Sequence, residues 1–325
     1  MTKRAGERTP QIILGTSGWS FPDWVGPYYP PGTDRSQMLD FYAREFPAVE
    51  VNSTYYRIPH SRTFEAIQRK TPPGFEFVVK THHDMTHLQS RDPQLYRDFA
   101  QSIRPLREAG KLTGILAQFP YAFRRTPEHE DFLRRLRDLL GGDEPLFVEF
   151  RHRSWMDEDV FRDLDREDLG YVSVDEPDLP GLVPPVARVT GSIAYVRFHG
   201  RNKDTWWAER DRGAPDRGKA RGEIAADAAR AKAAAKTGAR ASADFGPLFS
   251  GTPDRPAEAP APARTSSTRY DYSYTEDELK EWVEKIREMT EKAKKTFVFF
   301  NNCHVGQAAT SAKLMRKLLE GEGML

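Results

Sequence analysis

The sequence predicts an α/β protein of the (β/α)8 barrel class. Three observations point there. Eight short apolar runs recur along 325 residues, amphipathic stretches separate most of them, and polar or charged residues gather at the carboxyl ends of the runs. Strands that alternate with helices imply parallel pairing, because a crossover helix is the short way back to the same end of a sheet. An open doubly wound sheet is the alternative arrangement of the same elements.

The first strand is QIILGTSGW (11–19), followed by a loop rich in proline and glycine and a helix near 36–46. AVEVNSTYY (48–56) is the second strand, with a helix at 61–70; FEFVVKTHH (75–83) is the third, with a helix at 93–109. LTGILAQFP (112–120) leads to a helix at 127–140, and PLFVEFRHRSW (145–155) to a helix near 157–167. GYVSVDEP (170–177) is the sixth strand, SIAYVRFHGR (192–201) the seventh and TFVFFNNCH (296–304) the eighth, between helices at 275–294 and 306–320. The sixth crossover, EPDLPGLVPPVARVTG, is too proline-rich for a helix and is expected to be irregular. In the helix at 275–294, Thr275 and Glu278 have capping-box spacing, and Leu279, Trp282, Val283, Ile286 and Met289 form one apolar stripe. Glu281–Lys285, Glu288–Lys292 and Glu291–Lys295 have the spacing of ion pairs along its other side.

The barrel domain is expected over 11–325, after a flexible N-terminus at 1–10. A long insertion at 203–269 interrupts it between strands seven and eight. Alanine and charge in its first part favour a transient helix near 222–236, while the rest is rich in Pro, Ala and Ser and has little to bury. The insertion is therefore expected to be mostly disordered. Residues 210–240 hold nine Lys/Arg against four Asp/Glu, which suits either a solvated linker or a nucleic-acid-binding arm.

Composition narrows the classes. The formal net charge is +1, so no global field selects nucleic acid or an acidic membrane. The single cysteine, Cys303, excludes an internal disulfide and fits a reducing cytoplasm. The polar N-terminus is no signal peptide, and no apolar run approaches the ~18 residues that span a bilayer. A cytoplasmic protein with no membrane partner is expected.

Side chains alternate along a strand, so the charged residues of a barrel strand should share the inward parity. Glu149 and Arg151 share one parity, as do Arg197 and His199, Glu50 and Asn52, and Lys80 and His82. Gln118, Asp175 and Asn301 are assigned single inward places. All lie toward the carboxyl ends, where such barrels carry active sites. The alternative is that Glu149 merely pairs with Arg151 or Arg197.

Seven blocks in order, GTSGWSFPDWVGPYYP, VEVNSTYYRIP, TPPGFEFVVKTHHDMTH, GILAQFP, VEFRHRSW, YVRFHGR and FVFFNNCHVGQAATSA, resemble the domain-of-unknown-function-72 family, also called YecE-like. The resemblance covers residues 15 to 312 apart from the insertion. It implies a TIM barrel with polar residues at the carboxyl-terminal face and no established reaction. It also suggests Trp206 or Trp207 and Tyr270–Tyr272 as the anchors flanking the insertion.

The functional expectation is an enzyme acting on an anionic substrate that bears phosphate or carboxylate, a phosphodiester being one candidate. Glu149, His199 and Glu50 are the candidate acid–base groups, able in principle to run hydrolysis or elimination. Arg151, Arg197 and Lys80 would hold the anion, and Asn52, Gln118, Asn301 and Asn302 would orient it, with Tyr55, His152 and Asp175 completing the site. The alternative is a non-catalytic module that binds single-stranded nucleic acid through mouth aromatics and the basic insertion. Trp19, Phe21, Trp24, Tyr28, Tyr29, Tyr55 and Tyr56 cluster after strands one and two and could stack a ring or only cover the mouth.

No cofactor and no metal are expected. His82, His83, Asp84 and His87 match no metal-site spacing, and a site from Glu149, Asp175 and His199 would share its cavity with repelling cations. GAPDRGKA (213–220) lacks the Ser/Thr and the preceding strand of a phosphate loop. Cys303 beside His304 is a weak nucleophile candidate.

Overall fold

The computed structural model describes residues 11–207 and 268–325. Eight parallel strands close into a barrel in sequence order. They are β1 (Gln11–Ser17), β2 (Ala48–Val51), β3 (Glu76–Lys80), β4 (Leu112–Gln118), β5 (Leu146–Glu149), β6 (Leu169–Asp175), β7 (Ile193–Phe198) and β8 (Lys295–Phe300). The closed barrel decides against the open sheet.

The helices are α1 (Arg35–Glu45), α2 (Ser61–Arg69), α3 (His83–Thr86), α4 (Pro93–Glu108), α5 (Pro127–Leu140), α6 (Glu158–Arg166), α7 (Glu276–Lys292) and α8 (Gln307–Gly321). The sixth crossover, 176–192, holds no helix, as its prolines require. The third strand ends at Lys80, short of the predicted 83, and the short α3 follows, with His82 accepting at its first turn from the Asp84 N–H. Thr275 and Glu278 form the predicted capping box, and the predicted stripe of α7 is buried. The predicted ion pairs of that helix are not the ones formed. Glu281 turns to Arg201, Lys285 to the Pro185 carbonyl, and Lys295 enters β8, where it meets Glu76.

Large rings fill the lower barrel. Phe147, Tyr195, Phe297 and Phe299 pack edge-on, tilted and, for Phe297 on Phe299, stacked, with centroids 4.9 to 6.5 Å apart. Phe147 fits because its neighbours on β4 and β6 are Gly114 and Gly170. A Cβ at either would lie 2.4 or 2.6 Å from that ring, closer than packed atoms can stand. The rings raise an apolar floor, and the polar residues stand above it.

The helix at 222–236, the phosphate-loop-like run at 213–220 and most of the insertion lie outside the described residues. The anchors are described. Trp206 is buried, with Arg151 on one side at 5.6 Å and Arg269 on another at 5.2 Å, and Tyr270 lies edge-on to it. Among the described residues no helix is long and apolar enough to cross a membrane.

Candidate functional site

Above the aromatic floor lies a layer of buried charge. Arg197, on β7, donates from Nη2 to Glu50 Oε1 on β2 (2.6 Å) and from Nη1 to Glu149 Oε2 on β5. The Tyr195 hydroxyl donates to the other Glu50 oxygen at 2.5 Å. Glu50 and Glu149 are fully buried and Arg197 is 1% exposed. Ion pairing this deep needs every partner in place, since a lone buried charge is costly.

One level higher, Arg151 donates from Nε to Glu149 Oε1 (2.8 Å) and from Nη1 to Glu176 Oε2 (2.6 Å). His199 stands beside it, with Nε2 3.1 Å from Glu149 Oε1 and Nδ1 3.0 Å from the Asn301 amide nitrogen. A neutral imidazole protonated on Nε2 satisfies both, donating to Glu149 and accepting from Asn301. Burial and the Arg151 charge together hold His199 well below its ordinary range, which keeps it neutral. Arg151 Nη2 lies against the same ring, 3.1 Å from Nε2 and 3.5 Å from Nδ1. It is the one Arg151 nitrogen not committed to a carboxylate.

Burial alone would raise the Glu149 carboxyl, but Arg197, Arg151 and His199 hold it well below the usual carboxylate range. Glu176 has less compensation. Burial raises it and Glu149 adds to that, so that despite Arg151 it is pushed up to about 7.

Lys80 stands apart from these pairs. Its Nζ donates to Gln118 Oε1 at 2.8 Å and sits 4.4 Å over the Tyr55 ring. Among the described residues no carboxylate lies within ion-pair distance of it. The residue keeps some exposure at the mouth, but its amine is shielded. Burial and then the Arg197 charge lower it to about 7, with Glu149 and Glu50 opposing and Arg151 assisting. Tyr55 packs against His83 and His87, whose rings stack at 4.8 Å. Burial, Lys80 and His83 lower His87 to about 3, so it is neutral.

The inward parity holds for Glu50, Lys80, Gln118, Glu149, Arg151, Arg197, His199 and Asn301. It fails at β6. Asp175 points outward, where it accepts from Trp282 Nε1, the Tyr274 hydroxyl and Arg201. Val174 pairs in register with Arg197 and shares its inward face, so the next inward place belongs to Glu176, which sequence reasoning missed. Asp175 therefore does not join Glu149 and His199. Asn302 is likewise corrected: it faces α8 and donates to Ser311 Oγ and the Tyr272 carbonyl. Asn52 precedes a single 3-10 turn with its Oδ1 buried and unpaired among the described residues. His152 caps another 3-10 turn through Nδ1, and its ring leans on Tyr121 at the rim.

Of the early aromatics, Trp24 and Tyr29 are buried and tie the first loop to the barrel, Trp24 through the Cys303 carbonyl at 2.6 Å. They cover, while Tyr55 reaches Lys80. Cys303 is buried, its thiol donating to the Ser17 carbonyl, and burial pushes it far above a reactive range.

Fold and site together define a (β/α)8 barrel protein with a charged, partly roofed mouth at the carboxyl ends of its strands. The chain belongs to the family described as "Protein of unknown function DUF72", whose model matches residues 13–244 and 224–324. It is 30% identical over 323 residues to the UPF0759 protein YunF of Bacillus subtilis, covering 96% of this chain and 95% of that one. It is 29% identical over 144 residues to the UPF0759 protein YecE of Escherichia coli K12, covering 43% of this chain and 48% of that one. A DUF72 family protein from Thermotoga maritima superposes with a TM-score of 0.72 at 35% identity, over 95% of this chain and 99% of that chain. Another, from Enterococcus faecalis, gives 0.70 at 25% identity, over 95% and 96%.

Proposed function

We propose that the protein is an enzyme that binds an anionic substrate at the barrel mouth, with Lys80 as its point of contact. One observation carries this reading. Lys80 is the cation of the layer that no described carboxylate pairs, while Arg197 is spent on Glu50 and Glu149. An ammonium left without a counter-ion in a shielded place is stabilised by an anion that enters. Arg151 Nη2 faces His199 rather than a carboxylate, and both arginines act on the site through their fields. Acid–base work falls to the groups near neutrality, Lys80 and Glu176, rather than to Glu149, which is held ionised by its three cationic or donor neighbours.

Calorimetric titration with inorganic phosphate at pH 6 tests the reading. Binding is expected in the wild type and at least tenfold weaker in Lys80→Met. Equal affinity in both proteins overturns it. Salt-dependent binding of single-stranded oligonucleotides that ignores Lys80→Met would favour the nucleic-acid module instead.

A further inference from the structure

We propose that Lys80 is a nucleophile that captures the carbonyl carbon of an anionic aldehyde or ketone as an imine; the inference rests on the anion reading and adds a covalent step to it. The geometry comes first. Gln118 Nε2 is committed to the Phe119 carbonyl at 2.7 Å, which fixes the amide so that Oε1 faces Lys80. A carbonyl oxygen accepts an N–H from a neutral amine as well as from an ammonium, so this bond leaves the nitrogen lone pair unused. The Tyr55 ring covers one side of the nitrogen at 4.4 Å. No described carboxylate holds the amine in its charged form.

The charges around the amine support the same chemistry. Arg197 on β7 and Arg151 beyond β5 disfavour a third positive charge, while Glu149 and Glu50 soften that effect. His87, just past α3, packs on the Tyr55 ring that covers the amine and is neutral. Burial first, and then these charges, lower the amine to about 7, which brings the unprotonated form that attacks a carbonyl within reach near neutral pH. Both guanidinium groups are paired with carboxylates, so the contact for an anionic carbonyl compound is Lys80 itself.

The step balances without an oxidant or reductant. The amine lone pair adds to the carbonyl carbon, and the C=O π pair moves to oxygen. The nitrogen gives up its two protons and the oxygen takes up two, so water leaves and a C=N bond remains. A further proton from solvent makes the iminium, whose positive charge stands where the lysine charge stood.

Reductive trapping tests the proposal on the wild-type protein. The protein is incubated at pH 7 with cyanoborohydride and glyoxylate, an anionic aldehyde, or propanal, a neutral one, and the modified lysines are mapped by peptide mass spectrometry. Glyoxylate is expected to label Lys80 at least tenfold faster than any surface lysine and faster than propanal does. The glyoxylate rate should rise with a midpoint near pH 7. Labelling of Lys80 no faster than surface lysines, or a midpoint near the ordinary lysine value, overturns the imine. If phosphate binding still depends on Lys80 in that event, the anion site stands without it. Propanal that labels Lys80 as fast as glyoxylate overturns the anionic substrate class.

Discussion

Arg197 and Glu149 meet across the barrel, one on β7 and the other on β5, with Arg197 1% exposed and Glu149 fully buried. Neither is available to a ligand approaching from the mouth. Their contribution is to hold the interior together and to set the potential that Lys80 feels. Arg197→Met should leave Glu50 and Glu149 as neighbouring buried carboxylates with one fewer cation. Loss of a buried partner typically costs about 3–5 kcal/mol. Urea denaturation should find that loss, and a change below about 1 kcal/mol would mean that the two carboxyls are satisfied without the arginine.

Asp175 fastens three segments to β6. Trp282 of α7 donates to it at 2.7 Å, the Tyr274 hydroxyl at 2.7 Å, and Arg201 through two nitrogens. Asp175→Ala should cost about 3 kcal/mol, because three buried or half-buried donors lose their acceptor. It should also open the backbone around 270–275 to limited proteolysis while Lys80 chemistry survives. Loss of the amine's reactivity with the fold intact would show that Asp175 serves the mouth directly.

Glu176 gives stability a sign that can be measured. Its folded value is raised from 4.5 to about 7, so the folded state holds its proton more tightly than the unfolded chain does. Its contribution is full below about pH 4.5 and is lost as pH rises through 7. Wild type should therefore lose stability relative to Glu176→Gln between about pH 5 and 7.5, by at most about 3 kcal/mol. Parallel denaturation curves at several pH values decide it, and a constant difference would place the Glu176 carboxyl in its ordinary range.

Lys80 gives the opposite slope. Its folded value, about 7, lies below the ~10.4 of an unfolded lysine. The folded state therefore holds fewer protons than the unfolded chain between those values, and stability rises with pH across them. Lys80→Met should be at least as stable as wild type at pH 6 and lose that advantage by about pH 10. A residue that costs stability and is needed for ligand binding is the pattern of a functional group. Lower stability of the variant at pH 6 would make Lys80 a structural residue.

Apart from the short α3, the order and type of the main elements follow from sequence alone, because apolar run length, helix periodicity, caps and prolines act locally. The capping box of Thr275 and Glu278, the buried stripe of α7 and the helix-free sixth crossover are all of this kind. The inward parity of Glu50, Glu149 and Arg197 follows too, since alternation within a strand needs no partner. Sequence could not settle the phase of β6, which is buried on both faces, so that Asp175 and Glu176 were equally placed to turn inward. The register of Val174 with Arg197 on β7 decided it. Nor could it say which cations are spent. Arg197 meets Glu50 from 147 residues away, and Lys80 meets Gln118 rather than a carboxylate, because barrel closure sets which side chains share a level. Charge type is written in the residue; whether that charge is neutralised depends on what the closed barrel puts opposite it.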